Sequence, residues 1–400
     1  MTAAAPVARR RNRQRFRHRP ESPRARPTTL VVVAVSALLA AACSGSSGGA
    51  RPTLGLVDDE PQPPLVVFDT DLGPDIDDAL ALVIVHHLAD LGRGELAAVT
   101  ISRNSEQAVR YARAVNAIEG RGELPIGLDR QAPYRFDDAT SYVSLADDLA
   151  DDLAGDVPAR PAVERGSGPD GAAPDAVAVL REVLAGAADE GRSVVVIQVG
   201  FSGNLDALLR SGPDDRSDLD GVELAAAADA TLSIMAGSFA PLPPGADPMT
   251  AVRRPQHVEF NVAQDIEAAR RLIATWPGPV LLSPWEVGGE LLFPYTAIRN
   301  GLAPDHHLRR AYEFADLDWH VDAPPFYDMR TWDLTSVLAA LEPERDHVPL
   351  SPAGTVTIDD EGRTTFTPGP GAHHVLDVER FGPAQRRTAV DRMIELATSG

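Results

Sequence analysis

Lysine is absent from the chain: all 37 Lys and Arg positions are arginine. That excludes P-loop nucleotide binding, Schiff-base chemistry and any mechanism built on a catalytic lysine. Cysteine is almost as scarce, Cys43 being the only one. No internal disulfide is available, so the hydrophobic core must carry the stability. A long apolar run is also missing. LVVVAVSALLAAA, from Leu30 to Ala42, covers 13 residues, too few for a relaxed membrane span but right for the apolar core of a secretory signal.

Nine arginines between Arg9 and Arg26 precede that run, and Cys43 follows the small residues Ala40, Ala41 and Ala42. This arrangement resembles a bacterial lipoprotein signal, in which the cysteine becomes the lipidated N-terminus. It implies export and a lipid anchor at Cys43, facing the periplasm or the exterior. The alternative is ordinary signal-peptide cleavage with an incidental cysteine. Residues 1–42 are the expected signal peptide, and residues 43–64, rich in Gly, Ser and Pro, the expected tether. Taking the +8 of residues 1–42 away from the −21 of the whole chain leaves −29 for the remainder. Such a surface argues against nucleic acid or an anionic membrane as a partner and suits a soluble enzyme.

From Leu65 onward strand-like apolar runs alternate with helical patterns. LVVFD, ELAAVTIS, LPIGL, SVVVIQVG, ATLSIMAG and PVLLS read as strands, with helices between them, including residues 105–119, 174–190 and 263–275. The expected fold is α/β, a mostly parallel, Rossmann-like sheet with helices on both faces. Residues 65–400 form one expected catalytic domain, with 129–173, rich in Asp, Pro and Gly, as an expected surface insertion. A helix near 332–341, a hairpin around Thr355–Thr367 and a last helix from Pro383 complete the pattern.

The first strand runs into FDTDLGPDIDDALAL, which places Asp69, Asp71, Asp75, Asp77 and Asp78 within ten residues. Ligands gather beyond the carboxyl ends of parallel strands, where this cluster stands. Asp77 or Asp78 is expected to cap the following helix, which leaves the other carboxylates unexplained. A divalent cation relieves the crowding, and all-oxygen ligation favours Ca²⁺ or Mg²⁺ over zinc. An EF-hand loop fails, because Pro74 or Ile76 stands where it needs glycine and Leu80 or Leu82 where it needs glutamate. A phosphatase with an Asp-x-Asp nucleophile pair lacks the lysine it needs.

VVFDTDLGPDIDDALAL resembles the opening motif of the inosine–uridine-preferring nucleoside hydrolases, in a variant with two extra residues between the first Asp pair and the last. AVNAIEGRGELPIG, VGFSGNLDALL, IMAG, EFNVAQDIEAA and TWDLTSVLAAL are similar to further segments of that family, in the same order. The resemblance implies calcium-dependent hydrolysis of the N-glycosidic bond of a ribonucleoside or related N-riboside. It implies Asp71 as metal ligand and general base, Asp78, Asp333 and the Gly203 carbonyl as further metal ligands, and Asp77 as a ribose acceptor. Glu259 and Asn261 would hold ribose hydroxyls, with Asn104 a further sugar contact and Asp69 a buried structural partner. A homo-oligomer is implied in the same way. Two departures stand out. Trp332 occupies the position of a family histidine that protonates the leaving base, so activation by stacking and a plain core role both remain open. No Asn occurs between Met235 and Asn261, where the family has one. A non-catalytic ribose- or nucleoside-binding module on the same fold is the alternative function.

Overall fold

The computed structural model describes residues 62–73, 75–156, 172–239, 258–314, 327–377 and 380–399. The expected signal peptide, Cys43, nearly all of the tether, residues 157–171 and the Pro/Gly segment 240–257 lie outside them. The strands are β1 (Leu65–Thr70), β2 (Glu95–Ile101), β3 (Ile126–Leu128), β4 (Val194–Gln198), β5 (Ala230–Met235), β6 (Val280–Ser283), β7 (Leu292–Phe293), β8 (Met329–Arg330), β9 (Gly354–Ile358), β10 (Thr364–Pro368) and β11 (His373–Val375). Nine of them form one sheet in the order β10-β9-β11-β6-β5-β4-β1-β2-β3. From β11 to β3 every neighbouring pair is parallel, and β9 runs antiparallel to both its neighbours. The α/β reading of the sequence is borne out. β7 and β8 pair separately.

The strand sequences explain their place. Every residue of β1, β4, β5 and β6 is buried, as expected for strands covered on both faces. Side chains alternate between two apolar layers. Val66 and Phe68 join Val195, Ile197 and Leu281 on one face; Leu65 and Val67 join Val194, Val196, Leu232 and Leu282 on the other. The first layer packs under helices Asp77–Asp90, Glu106–Ile118, Trp332–Leu341 and Pro383–Ala397, the second under Ala176–Glu190, Gly203–Leu209, Gly221–Ala227 and Ile266–Thr275.

Helix starts follow local chemistry. Ser105 accepts from the Ala108 N–H, Asp175 from Val177, and Asp220 forms a reciprocal capping box with Glu223. The helix expected over 263–275 is broken at Asp265, whose side chain caps a new helix from Ile266. The described part of 129–173 carries two 3₁₀ turns and the Ala146–Asp156 helix, and buries Tyr142 and Val143. Like helix Trp332–Leu341, helix Asp77–Asp90 starts without such a cap. Ile76 precedes its first turn, with no side-chain cap. The expectation that Asp77 or Asp78 caps this helix therefore fails: both are its first helical residues, and their carboxylates are used elsewhere.

Candidate active site

The order β3-β2-β1-β4-β5-β6 reverses between β1 and β4, which opens a crevice at the carboxyl ends of those strands. Backbone crowding there is severe. A Cβ on Gly200, just past β4, would lie 2.2 Å from Ser102 Oγ and 2.5 Å from Asp71 N, so only glycine fits. The loop after β1 bends through Leu72, which has φ +36° and is fully buried. The Leu72 N–H donates to Thr70 Oγ1 at 3.0 Å and to Asp78 Oδ1 at 3.1 Å. Thr70 also donates its hydroxyl to Asp78.

Asp77 and Asp78 begin helix Asp77–Asp90, and Asp333 lies in the first turn of helix Trp332–Leu341. The two helix N-termini meet, and the Asp333 N–H donates to Asp77 Oδ2 at 3.3 Å. One carboxylate oxygen from each of Asp77, Asp78 and Asp333 lies within 4.8 Å of the others. All three residues are at most 5% exposed. Asp71, 6% exposed, is not one of that trio, but its carboxyl lies close enough to that of Asp78 for each to shift the other's ionisation.

The electrostatics of this cluster are only partly compensated. Burial holds Asp71 well above the ordinary carboxylate range, and the Asp78 charge adds to it, with Arg103 opposing. Asp77 is raised by burial and then by Asp75 and Asp78. Asp333 is raised by burial and then by Asp77, Asp78 and Asp71. Asp78 is raised by burial against the pull of Thr70 and the Leu72 N–H. Buried like charges resist joint ionisation, and a cation reverses that balance. Hard carboxylate oxygens converging from two helix ends fit an oxygen-liganded divalent ion.

The remaining expected residues fall as follows. Asp69 accepts from Thr100 Oγ1 at 2.5 Å and Asn204 Nδ2 at 2.7 Å, and burial pushes its pKa up to about 7. Gly203 opens helix Gly203–Leu209, and a Cβ there would meet Asp129 Oδ2 at 2.8 Å. Glu259, also pushed up to about 7 by burial, caps helix Phe260–Gln264, accepting from the N–H groups of Asn261 (2.7 Å), Val262 (3.0 Å) and Gly237 (3.3 Å). Asn261 donates to the carbonyls of Val199 at 2.8 Å and Met235 at 3.2 Å, tying it to the ends of β4 and β5. Asn104 is exposed and donates to the Arg130 carbonyl at 2.9 Å. Trp332 is half-buried; its indole N–H donates to the Trp285 carbonyl at 3.0 Å, and the two rings lie 6.3 Å apart. A Cβ on Gly288 would stand 2.4 Å from the Trp332 Cα, so the neighbouring helix packs directly on this backbone.

Sequence reasoning missed Arg103, which is 2% exposed and bonds to the Asp71 and Leu72 carbonyls. It also missed Thr70 and Asn204 as partners of the aspartates. In a chain whose basic residues are all arginine, nothing local marks one arginine as buried.

Residues 66–392 match the family model of the inosine-uridine preferring nucleoside hydrolases. The chain belongs to this family. Nucleoside hydrolases are hydrolases of N-glycosyl bonds, metal-dependent and acting on nucleosides, and the acidic cluster is where a metal would sit in this member. Solved structures share its fold. A plant nucleoside hydrolase, PpNRh1, is 18% identical at a TM-score of 0.56, covering 84% of this chain and 100% of its own. The inosine-uridine preferring nucleoside hydrolase of Bacillus anthracis is 16% identical at 0.57, with the same coverage. The type III effector XopQ, solved with adenosine diphosphate ribose, is 17% identical at 0.54, covering 87% of this chain and 98% of its own. No curated protein matches the chain.

Proposed function

We propose that this nucleoside hydrolase is an exported, calcium-dependent enzyme that splits the N-glycosidic bond of a ribonucleoside or a related N-riboside. The observation that carries the reading is the meeting of Asp77, Asp78 and Asp333 within 4.8 Å at the crevice between β1 and β4. Asp78 and Asp333, with Asp71 and the Gly203 carbonyl, would hold Ca²⁺. A bound calcium ion supplies a more acidic water and an anchor for ribose hydroxyls. Asp71 takes the proton from the attacking water. Asp77 reaches the same centre and accepts from the sugar. Asn261 and Glu259, fixed at the ends of β4 and β5, hold further hydroxyls, with Asn104 at the rim. Lipidation at Cys43, display outside the cell membrane and homo-oligomerisation belong to this proposal and rest on the sequence and the family resemblance.

Trp332 favours a second reading, a ribose- or nucleoside-binding module without turnover. Its N–H is engaged by Trp285, so the indole offers the leaving base a face and no proton. XopQ, solved with a nucleotide sugar, is one of the structural relatives. Release of free base or reducing sugar from a nucleoside panel, with and without chelator, decides between them. The enzyme reading expects turnover that chelation abolishes and that Asp71→Ala lowers by roughly 10²–10⁴-fold. Activity indifferent to both sinks it, and calorimetric binding with no turnover establishes the second.

A further inference from the structure

Three consecutive carbonyls of the loop that carries Asp71 are each held by a side chain from elsewhere. Arg103 Nε donates to the Asp71 carbonyl at 2.5 Å, and its Nη2 to the Leu72 carbonyl at 2.6 Å. Ser141 Oγ donates to the Gly73 carbonyl at 2.9 Å. The guanidinium is itself aimed: Nη1 donates to Asp138 Oδ1 at 2.5 Å, and Asp138 Oδ2 accepts from Ser105 Oγ at 2.7 Å. Arg103 lies between the end of β2 and Ser105, the cap of helix Glu106–Ile118. Asp138 opens the first 3₁₀ turn of the 129–156 stretch, and Ser141 links it to the second. Two separate parts of the chain therefore grip one loop.

That loop needs gripping. Leu72 is a branched apolar residue at positive φ, a conformation that costs free energy unless its surroundings impose it. Arg103 imposes it from the carbonyl side while Thr70 and Asp78 hold the N–H side. A guanidinium spreads its donors over three nitrogens in one plane and so spans two carbonyls and a carboxylate at once; an ammonium has its donors on a single nitrogen and lacks that reach.

We infer that Arg103, aimed by Asp138 and Ser105, is a positioning residue that sets the loop of Asp71 for cation binding and water activation. The inference rests on the reading of the acidic cluster as a cation site. An ion-pair role alone gives the opposite sign. Arg103 places a positive charge near Asp71, so deleting the charge would by itself tighten binding of a cation. Losing the loop geometry loosens it.

The test is calorimetric titration of Ca²⁺ into chelator-treated parent, Arg103→Met, Arg103→Lys and Asp138→Asn proteins, with kcat, KM and thermal melting measured alongside. Arg103→Met is expected to bind Ca²⁺ about 10–100-fold more weakly and to lose kcat by a similar factor. Arg103→Lys is not expected to restore either. Asp138→Asn, which leaves the guanidinium charge in place, is expected to weaken binding by a smaller factor, and it carries the test if Arg103→Met does not fold. A parent that binds Ca²⁺ beside cooperatively melting variants of equal or tighter affinity overturns the inference alone. A parent that binds none overturns the cation site and the inference with it.

Discussion

Helix Trp332–Leu341 carries a buried carboxylate at each end, and the protein treats the two in opposite ways. At its C-terminus Glu342, 1% exposed, accepts from Arg392 Nε at 2.9 Å and Nη2 at 2.6 Å, forms an ion pair with Arg345 Nε at 3.0 Å, and meets His347 Nε2 at 3.0 Å. Burial pushes its pKa up, but the bonds from His347 and Arg392 and the arginine charges outweigh it and bring it to about 2. At the N-terminus Asp333 has the favourable end of the helix dipole, yet its pKa is raised, because it is buried and four other aspartates, Asp77, Asp78, Asp71 and Asp75, act on it. Side-chain company outweighs the dipole at both ends. An acid matched by cations of the chain itself holds the fold together. Acids crowded with only Arg103 to oppose them are placed to take a cation from solution.

The sharpest way to break that comparison is to neutralise each end in turn. Glu342→Gln leaves the buried Arg392 short of its anion and should cost about 3 kcal/mol in denaturant unfolding, with the Ca²⁺ affinity of the folded protein unchanged. Asp333→Asn, measured in chelator, should stabilise instead, by about 1 kcal/mol, since it removes one of several repelling charges. Destabilisation of the same size by both would erase the distinction.

Stability against pH separates the two classes next. In chelator, Glu259, raised from 4.5 to about 7, contributes stability that is full below 4.5 and lost as pH rises through 7, about 3 kcal/mol across the window. Glu342 works the other way: its contribution is full above 4.5 and lost as pH falls towards 2. Urea unfolding at stepped pH should therefore give a maximum in the acidic range for the cation-free protein, and Glu259→Gln should flatten its alkaline limb. A flat profile from pH 4.5 to 7 contradicts the assignment.

A smaller effect sharpens the contrast. Ca²⁺ at a hundred times its Kd should stabilise the parent by about 2.7 kcal/mol. Glu342→Gln should keep that increment and Asp333→Asn lose most of it, as read by the shift in melting temperature.

Much of this was legible in the sequence, for physical reasons. The runs LVVF, VVVIQ and ATLSIM are apolar on both faces and fit only a covered parallel sheet, and five aspartates after the first of them announced the site. Asp333, more than 250 residues away, was reachable only through family resemblance, since nothing in RTWDL by itself points at Asp77. The grouping was harder. The trio that converges contains Asp77, which the resemblance had put on the sugar, while Asp71 lies against Asp78. Caps depend on where a carboxylate is pulled, and Asp78 is pulled to Thr70 and Leu72 rather than to its own helix. The grip of Arg103 arises from three segments distant in sequence, and no spacing rule reports such a meeting. The short helices Trp285–Glu290 and Tyr295–Gly301, which follow prolines at 284 and 294, escaped as well, being too short for a periodic apolar pattern to register.

The acidic cluster is expected to hold protons only until a cation replaces them. Ca²⁺ titrated into chelator-treated, weakly buffered protein at mildly acidic pH measures heat and proton release together. Saturable binding that expels protons, and that Asp333→Asn abolishes while Glu342→Gln preserves, is the predicted result. Absence of binding, or binding that releases no protons and survives Asp333→Asn, would contradict the account.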